Sequence, residues 1–347
     1  MNIPDTMKGV WLTGHGGLEM LEYREDIPVP RPGPGDVLVR VEAAGINNTD
    51  INTRTAWCSK DNQDAADASW SGNSLVFPRI QGADVCGSIV GIGKTVDAAR
   101  IGERVLIEPC IREANGGQLT APWYFGSECD GGLAEYAVVA SRHAFIVNTT
   151  LKSFELASFP CSYSTAENML TRANVVATDR VLITGASGGV GSAAIQLAKA
   201  RGAHVTAITS SFKAAEIQRI GADETLSRDE DLKTYFGTDT IDVVIDLVAG
   251  AGWPALLDIM KPGGRYAVAG AIGGPMVELD IRTLYLKDLS FFGCTVLEPE
   301  VFGNLVRQIE GGRIRPLVAE TYPLSEIAAA QKSFLAKKHT GKIILTL

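Results

Sequence analysis

The chain has 347 residues, of which 46% are hydrophobic and 21% charged, and its formal net charge is −8 at pH 7. It is longer than a typical single domain, and its composition is that of an ordinary globular protein. The acidic balance, without a cluster of lysine and arginine, argues against nucleic acid as a partner. We find no targeting pattern at the N-terminus and no apolar run of bilayer length, so we expect a cytoplasmic protein with no membrane partner.

The first half of the chain predicts a β-rich domain. Apolar or alternating segments indicate strands at 37–41, 88–92 and 104–107, separated by glycines and prolines. Two polar stretches, 55–75 and 111–130, interrupt this pattern, and we expect long loops there, which commonly carry function. The two stretches contain, among other aromatic residues, Trp57, Trp70, Trp123 and Phe125. Exposed aromatics in such loops suggest a lid over an apolar substrate, and a contact between two copies of the chain is the alternative.

From about residue 156 the pattern changes to alternating strands and helices. The predicted strands are 180–184, 204–208, 224–226, 241–246, 264–269 and 289–293, and helices between them include 190–201, 212–220 and 252–260. Six strands with intervening helices make a doubly wound parallel sheet of the α/β class. Helices around 299–310 and 325–337 then precede a last strand, 341–347, which we expect to return to the first domain.

The turn at 185–191, after the first of these strands, has the composition of a phosphate-binding turn. Gly188 would let the backbone approach a phosphate, and Gly191 would let the helix pack closely on the strand. Ala186 stands at the first glycine position of the usual G-x-G-x-x-G, so the motif is imperfect and a structural loop is the alternative. We predict that a dinucleotide pyrophosphate binds at the following residues: Ala186, Ser187, Gly188, Gly189, Val190 and Gly191.

The end of the second strand of this series indicates which dinucleotide is bound. An NAD enzyme usually places Asp or Glu there to bind the ribose hydroxyls. This chain instead has Thr209 followed by Ser210, Ser211, Phe212 and Lys213. Two hydroxyls and an ammonium suit a 2′-phosphate, which favours NADP(H) over NAD(H). A lone lysine would equally fit the solvated face of the next helix, and the missing acid is what favours the phosphate.

The order of motifs along the whole chain resembles the medium-chain dehydrogenase/reductase superfamily. The matching segments are 34–41, 44–50, 82–87, 101–105, 131–136, the glycine turn, 261–264 and 341–343. The resemblance implies a GroES-like β-rich catalytic domain, a Rossmann domain with the doubly wound six-stranded sheet, and a substrate cleft between them. The predicted domains are 1–156 (GroES-like), 157–296 (Rossmann, NADP-binding) and 297–347 (return to the catalytic domain). We expect a homodimer or a homotetramer.

The resemblance also allows the zinc ligands of the alcohol dehydrogenases in this superfamily to be compared with this chain. At two ligand positions those enzymes carry Cys and His, where this chain has Asn47 and Ala83. The third position is Cys161, and Asp84 follows Ala83. One thiolate, even with Asp84 nearby, cannot make a three-ligand catalytic zinc site. We therefore predict no metal, and packing roles for Cys161 and for the other, widely separated cysteines.

Without zinc, the chain resembles the branch that includes zeta-crystallin-like quinone oxidoreductases and 2-enoyl reductases. This branch implies hydride transfer from NADPH to a quinone or to an α,β-unsaturated carbonyl or enoyl compound, a small-molecule substrate. By the same resemblance Arg228 would lie near the 2′-phosphate, and a surface loop position is the alternative. Ala249, Ala271 and Ile272 stand at predicted strand ends and would face the nicotinamide and its ribose, unless these segments only make turns.

The proton donor is the least determined part of the site. Several zinc-free relatives carry a tyrosine two residues after the position of Asp50, where this chain has Asn52. Asn47 and Asn52 can hydrogen-bond a carbonyl oxygen but cannot supply a proton. Tyr124 and Tyr163 are candidate donors, with packing roles or protonation by solvent as alternatives. We name Asn47, Asn52 and Tyr124 as the candidate catalytic residues.

Two other functions stay open on the sequence. The first is an alcohol dehydrogenase with an unusual metal site. The second is a non-catalytic NADPH-binding protein that acts as a scaffold or redox sensor, which a missing acid would permit.

Overall fold

The structure is a computed structural model that describes residues 3–60, 65 and 67–347. It divides into two compact units, one formed by 1–161 with 316–347 and the other by 162–315. The second boundary therefore lies after Arg315 and not after residue 296, so the segment 297–315 belongs to the second unit. Asn168 holds the start of this segment by hydrogen bonds to Val296 O and Glu298 N–H.

The first unit begins with ten strands and two short helices. In chain order these are β1 (Thr6–Leu12), β2 (Leu21–Pro28), β3 (Asp36–Gly45), α1 (Asn48–Arg54), β4 (Arg79–Ile80), β5 (Asp84–Ile92), β6 (Arg104–Ile107), β7 (Cys110–Ala114), β8 (Gly117–Tyr124), β9 (Tyr136–Ala140), β10 (Ala144–Ile146) and α2 (Ser153–Leu156). The helix α3 (Pro160–Arg172) then leads into the second unit.

The second unit alternates strands with helices, as predicted. Its elements are β11 (Arg180–Ile183), α4 (Gly189–Ala200), β12 (His204–Thr209), α5 (Ala214–Arg219), β13 (Glu224–Ser227), α6 (Leu232–Phe236), β14 (Ile241–Asp246), α7 (Trp253–Asp258), β15 (Met260–Val268), α8 (Ile281–Leu286), β16 (Ser290–Gly293) and α9 (Val301–Glu310). The chain returns to the first unit through β17 (Val318–Pro323), α10 (Ile327–Leu335) and β18 (Lys342–Thr346). Within the described residues, no helix is long and apolar enough to cross a membrane.

The core of the first unit is a sheet in the order β10-β6-β5-β3-β18-β17, with β9 also paired to β3. Apolar side chains of alternate strand positions, among them Val39, Val85 and Ile343, fill its interior. The last strand, β18, pairs antiparallel with β3, so Ile344 lies opposite Gly45. This confirms that the C-terminal segment returns to the first domain, and it brings the start of β18 close to the end of β3.

The prediction of a long loop at 111–130 is wrong. β7 and β8 form an antiparallel hairpin in which Cys110 lies opposite Tyr124. Asn115 and Gly116 connect the strands with φ angles of 54° and 77°, and two successive positive φ angles are typical of the tight I′ hairpin turn, for which Asn-Gly is the preferred sequence. The Asn-Gly pair was the signal that could have identified the hairpin.

The aromatic residues of the two polar stretches do not form one exposed set. Phe125 is 1% exposed and packs in the core of the first unit. Trp123 and Trp70 are half-buried, and only Trp57 of the four is largely exposed, at 48%. The predicted loop at 55–75 begins with turns after α1, and its residues 61–64 and 66 lie outside the described part of the chain.

The second unit is built on a parallel sheet in the order β13-β12-β11-β14-β15-β16. This is the predicted doubly wound six-stranded sheet, and all six predicted strands are confirmed. The strand order reverses between β11 and β14, which pair with Val181 opposite Val243. In open α/β sheets ligands bind beyond the carboxyl ends of the strands at this reversal. The predicted cofactor residues follow these strand ends.

Candidate active site

The glycine turn after β11 leaves room for an anion at the start of α4. Gly185 has a φ of +58°, and Ala186 donates its N–H to Ile208 O at 3.2 Å, which fixes the turn to the end of β12. A Cβ on Gly191 would lie 2.4 Å from Gly185 O, so no side chain fits there. The first N–H groups of α4, which begins at Gly189, have no acceptor within the helix and suit a phosphate. The turn therefore fits a dinucleotide pyrophosphate.

Two cations and several hydroxyls lie beyond the end of β12. Lys213 is only 5% exposed, and burial lowers its pKa, an effect that Glu216 opposes and repulsion from Arg228 increases. Lys213 and Arg228 are thus close enough to repel one another. Thr209 Oγ1 is buried and has no hydrogen-bond partner in the described part of the chain. A phosphate dianion would relieve the repulsion between the two cations.

Asp246, at the end of β14, organises the loop that follows it. Its carboxylate accepts hydrogen bonds from Thr184 Oγ1 at 2.5 Å and from the Tyr266 hydroxyl at 2.6 Å. It also accepts from the N–H of Ala249, which has a φ of +54°. Because the carboxylate is fully bonded within the protein, it holds the backbone after β14 in a conformation that alanine seldom adopts.

The loop after β15 packs against this backbone. A Cβ on Gly250 would lie 2.3 Å from Gly273 O, so the two loops touch through their main chains. Ala271 is half-buried in this second loop, and Ile272 is largely exposed. The predicted nicotinamide-facing residues Ala249, Ala271 and Ile272 therefore lie in adjacent loops, beyond the carboxyl ends of β14 and β15.

A buried ion pair lies in the first unit where β3, β5 and β18 meet. Lys342 is 2% exposed and Asp84 is fully buried, and Lys342 Nζ lies 2.6 Å from Asp84 Oδ2. The ammonium also donates to Asn47 Oδ1 at 2.5 Å and to Ile46 O at 2.8 Å. These three acceptors satisfy the three N–H bonds of an ammonium group. The Lys342 ammonium thus contacts both Asp84 and Asn47, and its positive charge compensates the Asp84 carboxylate.

Asn47 is bonded on both ends of its side chain. Its Nδ2 donates to Asp84 Oδ2 at 2.8 Å and to Gly45 O at 3.3 Å, and its Oδ1 accepts from Lys342. In this arrangement neither N–H bond is left for a substrate carbonyl, so the geometry favours a supporting role over the predicted contact with substrate. Asn52 is half-buried in α1 and is not part of this ion-pair cluster.

Cys161, in the first turn of α3, joins the ion pair to Tyr124. Its N–H donates to Asp84 Oδ1 at 2.5 Å, and its Sγ lies 3.1 Å from the Tyr124 hydroxyl. Trp70 stacks on the Tyr124 ring with centroids 5.0 Å apart and donates its Nε1–H to Thr49 Oγ1 at 2.6 Å. Ala83 packs in the same cluster. The hairpin β7–β8 therefore places the Tyr124 hydroxyl beside Cys161.

Tyr124 and Tyr163, the two tyrosines considered as proton donors, have different surroundings. The Tyr163 hydroxyl donates to Arg315 O at 2.8 Å and accepts from Gln196 Nε2 at 2.8 Å, so it is occupied in holding the chain at the end of the second unit. The Tyr124 hydroxyl has a thiol as its neighbour, a weak hydrogen-bond partner. Burial, followed by the interaction with Cys161 and by the charge of Asp84, raises the pKa of Tyr124 well above its usual range.

Sequence reasoning missed Lys342 and Trp70 as members of this cluster. Lys342 is the first residue of the apolar strand β18, and Asp84 is the first residue of the apolar strand β5. A charge buried in such a strand needs a partner of opposite charge. Two opposite charges in two buried strands were a signal for the pair, although the spacing of 258 positions between them gave no indication of contact. Trp70 lay in a polar stretch without a periodic pattern.

Family models of known proteins match segments in both units of the structure. A family model described as an alcohol dehydrogenase GroES-like domain matches residues 33–149, and one described as a zinc-binding dehydrogenase matches residues 189–311. The chain is 30% identical to the human quinone oxidoreductase over 98% of each protein. The chain belongs to the medium-chain dehydrogenase/reductase superfamily. It is therefore an oxidoreductase of a family that binds nicotinamide dinucleotides.

Other members of the superfamily show a range of activities. The chain is 30% identical to acryloyl-coenzyme A reductase of Metallosphaera sedula, over 98% of this chain and 100% of that protein. A solved structure from Sinorhizobium meliloti, provisionally assigned as an alcohol dehydrogenase, has 45% identity and a TM-score of 0.91 and covers 99% of this chain and 97% of its own. Superfamily membership thus establishes the fold and the class of enzyme, and leaves the substrate to be argued from the site.

The residues at the zinc-ligand positions of the superfamily do not fit a metal. Asn47 and Cys161 both contact Asp84, so two of the ligand positions lie close together. However, both oxygens of Asp84 already accept hydrogen bonds, and one of them also pairs with Lys342. The third position, Ala83, carries no donor atom. Among the residues that the structure describes, no group of three or more His, Cys, Asp or Glu side chains could hold a metal ion. Catalytic zinc needs three protein ligands with an open fourth position.

Proposed function

We propose that this protein is a zinc-independent, NADPH-dependent reductase that transfers hydride to a quinone or to an α,β-unsaturated carbonyl or enoyl compound. The observation that carries the proposal concerns the three zinc-ligand positions of the superfamily. Asn47 bonds to an ammonium, Cys161 contacts a tyrosine hydroxyl, and Ala83 has no donor atom, so the three do not make a three-ligand metal site. Alcohol oxidation in this superfamily relies on a metal to polarise the oxygen. Reduction of an activated double bond needs only hydride, a proton and a hydrogen bond to the oxygen.

NADPH is the proposed cofactor because of the cations beyond β12. The backbone of Ala186–Gly191 would hold the pyrophosphate, and Ser210, Ser211, Lys213 and Arg228 would hold the 2′-phosphate. No carboxylate stands at the end of β12 to bind ribose hydroxyls or repel a phosphate. When bound, NADPH supplies the hydride. The charge of Arg228 acts to lower the pKa of Lys213, and a phosphate dianion placed near both cations would attract each of them.

Tyr124 is the proposed hydrogen-bond donor to the substrate oxygen. Its raised pKa keeps the hydroxyl protonated throughout the physiological range. Its contact with the Cys161 thiol can be exchanged for a contact with a substrate oxygen at small cost, because a thiol is a weak hydrogen-bond partner. The stacked Trp70 ring and Ala83 give the cluster apolar surface, which suits a quinone or enone.

A second copy of the chain is the proposed partner, in a homodimer or homotetramer. β16 is an edge strand of the second unit's sheet. Beside it in the chain lie large apolar side chains that are well exposed, and a free edge beside apolar surface tends to be covered by another chain. These side chains are Met276 (86%), Ile281 (59%), Tyr285 (59%), Leu286 (71%) and Phe291 (37%).

The proposal is tested by cofactor binding and turnover in charge-reversal variants. Lys213→Glu and Arg228→Glu should each weaken NADPH binding about tenfold to a hundredfold, the value of a charge-assisted hydrogen bond, and leave NADH binding within about twofold. Binding is followed by fluorescence of the reduced nicotinamide. Lys233→Glu, a lysine elsewhere in the second unit, is the matched control.

Turnover of the wild-type protein is measured with NADPH against quinones, enones and enoyl thioesters, and with NADP+ against primary alcohols. The proposal expects oxidation of NADPH by at least one of the first three classes, without loss of activity to a chelator. Equal losses of NADH and NADPH binding in the variants would remove the two cations from the site. Tight NADPH binding without oxidation by any of the acceptors would favour a scaffold or sensor over a reductase.

A further inference from the structure

Glu128 bonds to two separate segments of the first unit. Its Oε2 accepts the main-chain N–H of Tyr124 at 2.7 Å, and its Oε1 accepts the main-chain N–H of Ser71 at 2.7 Å. Tyr124 is the last residue of β8, and Ser71 directly follows Trp70. The rings of Trp70 and Tyr124 stack with centroids 5.0 Å apart. One carboxylate therefore holds the main chain beside both rings of this stack.

A tight turn after β8 brings Glu128 back to Tyr124. The N–H of Ser127 donates to Tyr124 O at 2.9 Å, and the N–H of Gly126 donates to Cys129 O at 3.1 Å. Gly126 has a φ of +87°, a conformation that glycine adopts more readily than other residues. The chain thus reverses directly after β8, and the Glu128 side chain bonds to the strand that it follows.

Strand pairing holds the two segments of the stack only in part. Tyr124 and Trp123 pair with β7, but the register is interrupted beyond them, and pairing resumes at Gln118. The segment 67–73, which carries Trp70, belongs to no helix or strand. The stack therefore lies where strand pairing holds one segment at its end and does not hold the other, and Glu128 supplies a bond to each.

We propose that Glu128 is a positioning residue for Tyr124 and Trp70. Its carboxylate fixes the Tyr124 hydroxyl by holding the main chain of that residue, and it keeps the Trp70 ring against the Tyr124 ring by holding the N–H of Ser71. The role in catalysis rests on the proposed function, in which the Tyr124 hydroxyl donates to the substrate oxygen. A donor stabilises the developing charge best when it is held in place before the charge forms.

The two bonds require a carboxylate at position 128. A carboxylate accepts at both oxygens, whereas the amide of glutamine accepts at one oxygen and carries N–H donors at its nitrogen. Glu128→Gln would therefore keep one of the two bonds and place an N–H group against a second N–H group. Hydrogen bonds to a charged acceptor are shorter and stronger than those between neutral groups, and both distances of 2.7 Å agree with this. Glu128→Gln is thus a nearly isosteric change that separates the two segments.

The first test needs neither cofactor nor substrate. Near-ultraviolet circular dichroism, which reports fixed packing of aromatic rings, is recorded for the full chain with and without the substitution Trp70→Phe, and the difference isolates the signal of Trp70. We expect Glu128→Gln to lose most of this difference, because the ring is no longer held. Glu155→Gln is the matched control, since Glu155 also accepts a main-chain N–H, that of Lys152 at 2.8 Å, and it should keep the difference.

The second test separates positioning of Tyr124 from a general structural role. Glu128→Gln should lower kcat for the reduction about tenfold and leave NADPH affinity within about twofold, because a displaced donor weakens the chemical step and not cofactor binding. In the Tyr124→Phe background the same substitution should lower kcat by less than about twofold, because the hydroxyl that Glu128 positions is already absent. Glu155→Gln should leave kcat unchanged in both backgrounds.

The proposal is overturned if folded Glu128→Gln keeps the full dichroism difference, or if it lowers kcat equally with and without the Tyr124 hydroxyl. If the wild type reduces none of the acceptors, the reductase proposal fails, and the dichroism difference alone decides whether Glu128 holds the two rings. If Glu128→Gln does not fold, hydrogen exchange in the wild type decides. We expect slow exchange of the Ser71 and Tyr124 amide hydrogens, and exchange of either at the rate of an unfolded chain overturns the proposal.

Discussion

Replacing Lys342 with methionine should be among the most destabilising single substitutions in the first unit. Methionine retains an unbranched side chain of similar length but removes the charge, so Asp84 would be left ionised and unpaired in a fully buried position. Lys342 and Asp84 are 2% and 0% exposed, so solvent screens neither. Breaking a buried pair by removing one partner costs about 3–5 kcal/mol, and we expect Lys342→Met to lower the free energy of unfolding by that amount.

The assay is urea unfolding of the full chain followed by tryptophan fluorescence. Four of the five tryptophans, Trp11, Trp57, Trp70 and Trp123, lie in the first unit, so the signal reports mainly on the unit that contains the pair. Asp84→Asn and the double variant complete a double-mutant cycle, in which the coupling energy should be about 1–3 kcal/mol. The control is Lys261→Met, whose pair with Asp242 is partly exposed and should contribute less than about 1 kcal/mol.

The reasoning is refuted if Lys342→Met unfolds within about 1 kcal/mol of the wild type. Such a result would mean that the protein accommodates the buried Asp84 side chain without a cation at no appreciable cost. Additive losses in the double variant would likewise show that the two charges do not depend on one another.

Three further predictions follow from other parts of the structure. Tyr124→Phe should lower kcat for the proposed reduction by about 10²-fold with little change in NADPH affinity, measured by steady-state kinetics and binding, since only the hydroxyl is removed. Gly116→Val should destabilise the β7–β8 hairpin by about 1–2 kcal/mol in urea unfolding, because the φ of 77° disfavours a branched side chain although no atom stands in its way. Burial raises the pKa of Asp50 to about 7, so its contribution to stability is full at low pH and is lost as pH rises through about 7. In the wild type the free energy of unfolding should therefore decrease between about pH 4 and about pH 7, and in Asp50→Asn this decrease should be smaller, as measured by urea unfolding over that pH range.

Local patterns were sufficient to predict most of the fold. The strands of the second unit are short apolar runs, such as residues 181–183, and each is followed by a helical segment. Both patterns can be recognised from residues that are adjacent in the sequence. The hairpin at 110–124 was missed because its exposed face is polar, as in Gln118 and Thr120, and this concealed a tight turn at Asn115-Gly116. Polarity of composition was a poorer guide there than turn chemistry.

The two halves of the candidate site differ in how far the sequence could predict them. The proposed phosphate turn is local, because backbone N–H groups and glycines within seven residues create it, so its residues could be named from the sequence alone. The cluster around Asp84 depends on strand pairing between β3, β5 and β18, which no spacing reveals. Asn47 was predicted as a catalytic residue, and its bonds to Lys342 and Asp84 favour a supporting role that residue type alone could not indicate.

A buried carboxylate creates a charge problem that its neighbours must solve. Asp84 is fully buried, and a buried carboxylate without a cation is costly. In this chain Lys342 provides the cation, and Asn47 fixes its ammonium with the same side chain that bonds Asp84. The thiol of Cys161 then has no metal to bind, and Tyr124 from the hairpin takes the adjacent position. In the reductase that we propose, the Tyr124 hydroxyl would take the place of a Lewis acid, which suits an acceptor whose oxygen gains charge only after hydride arrives at a distant carbon.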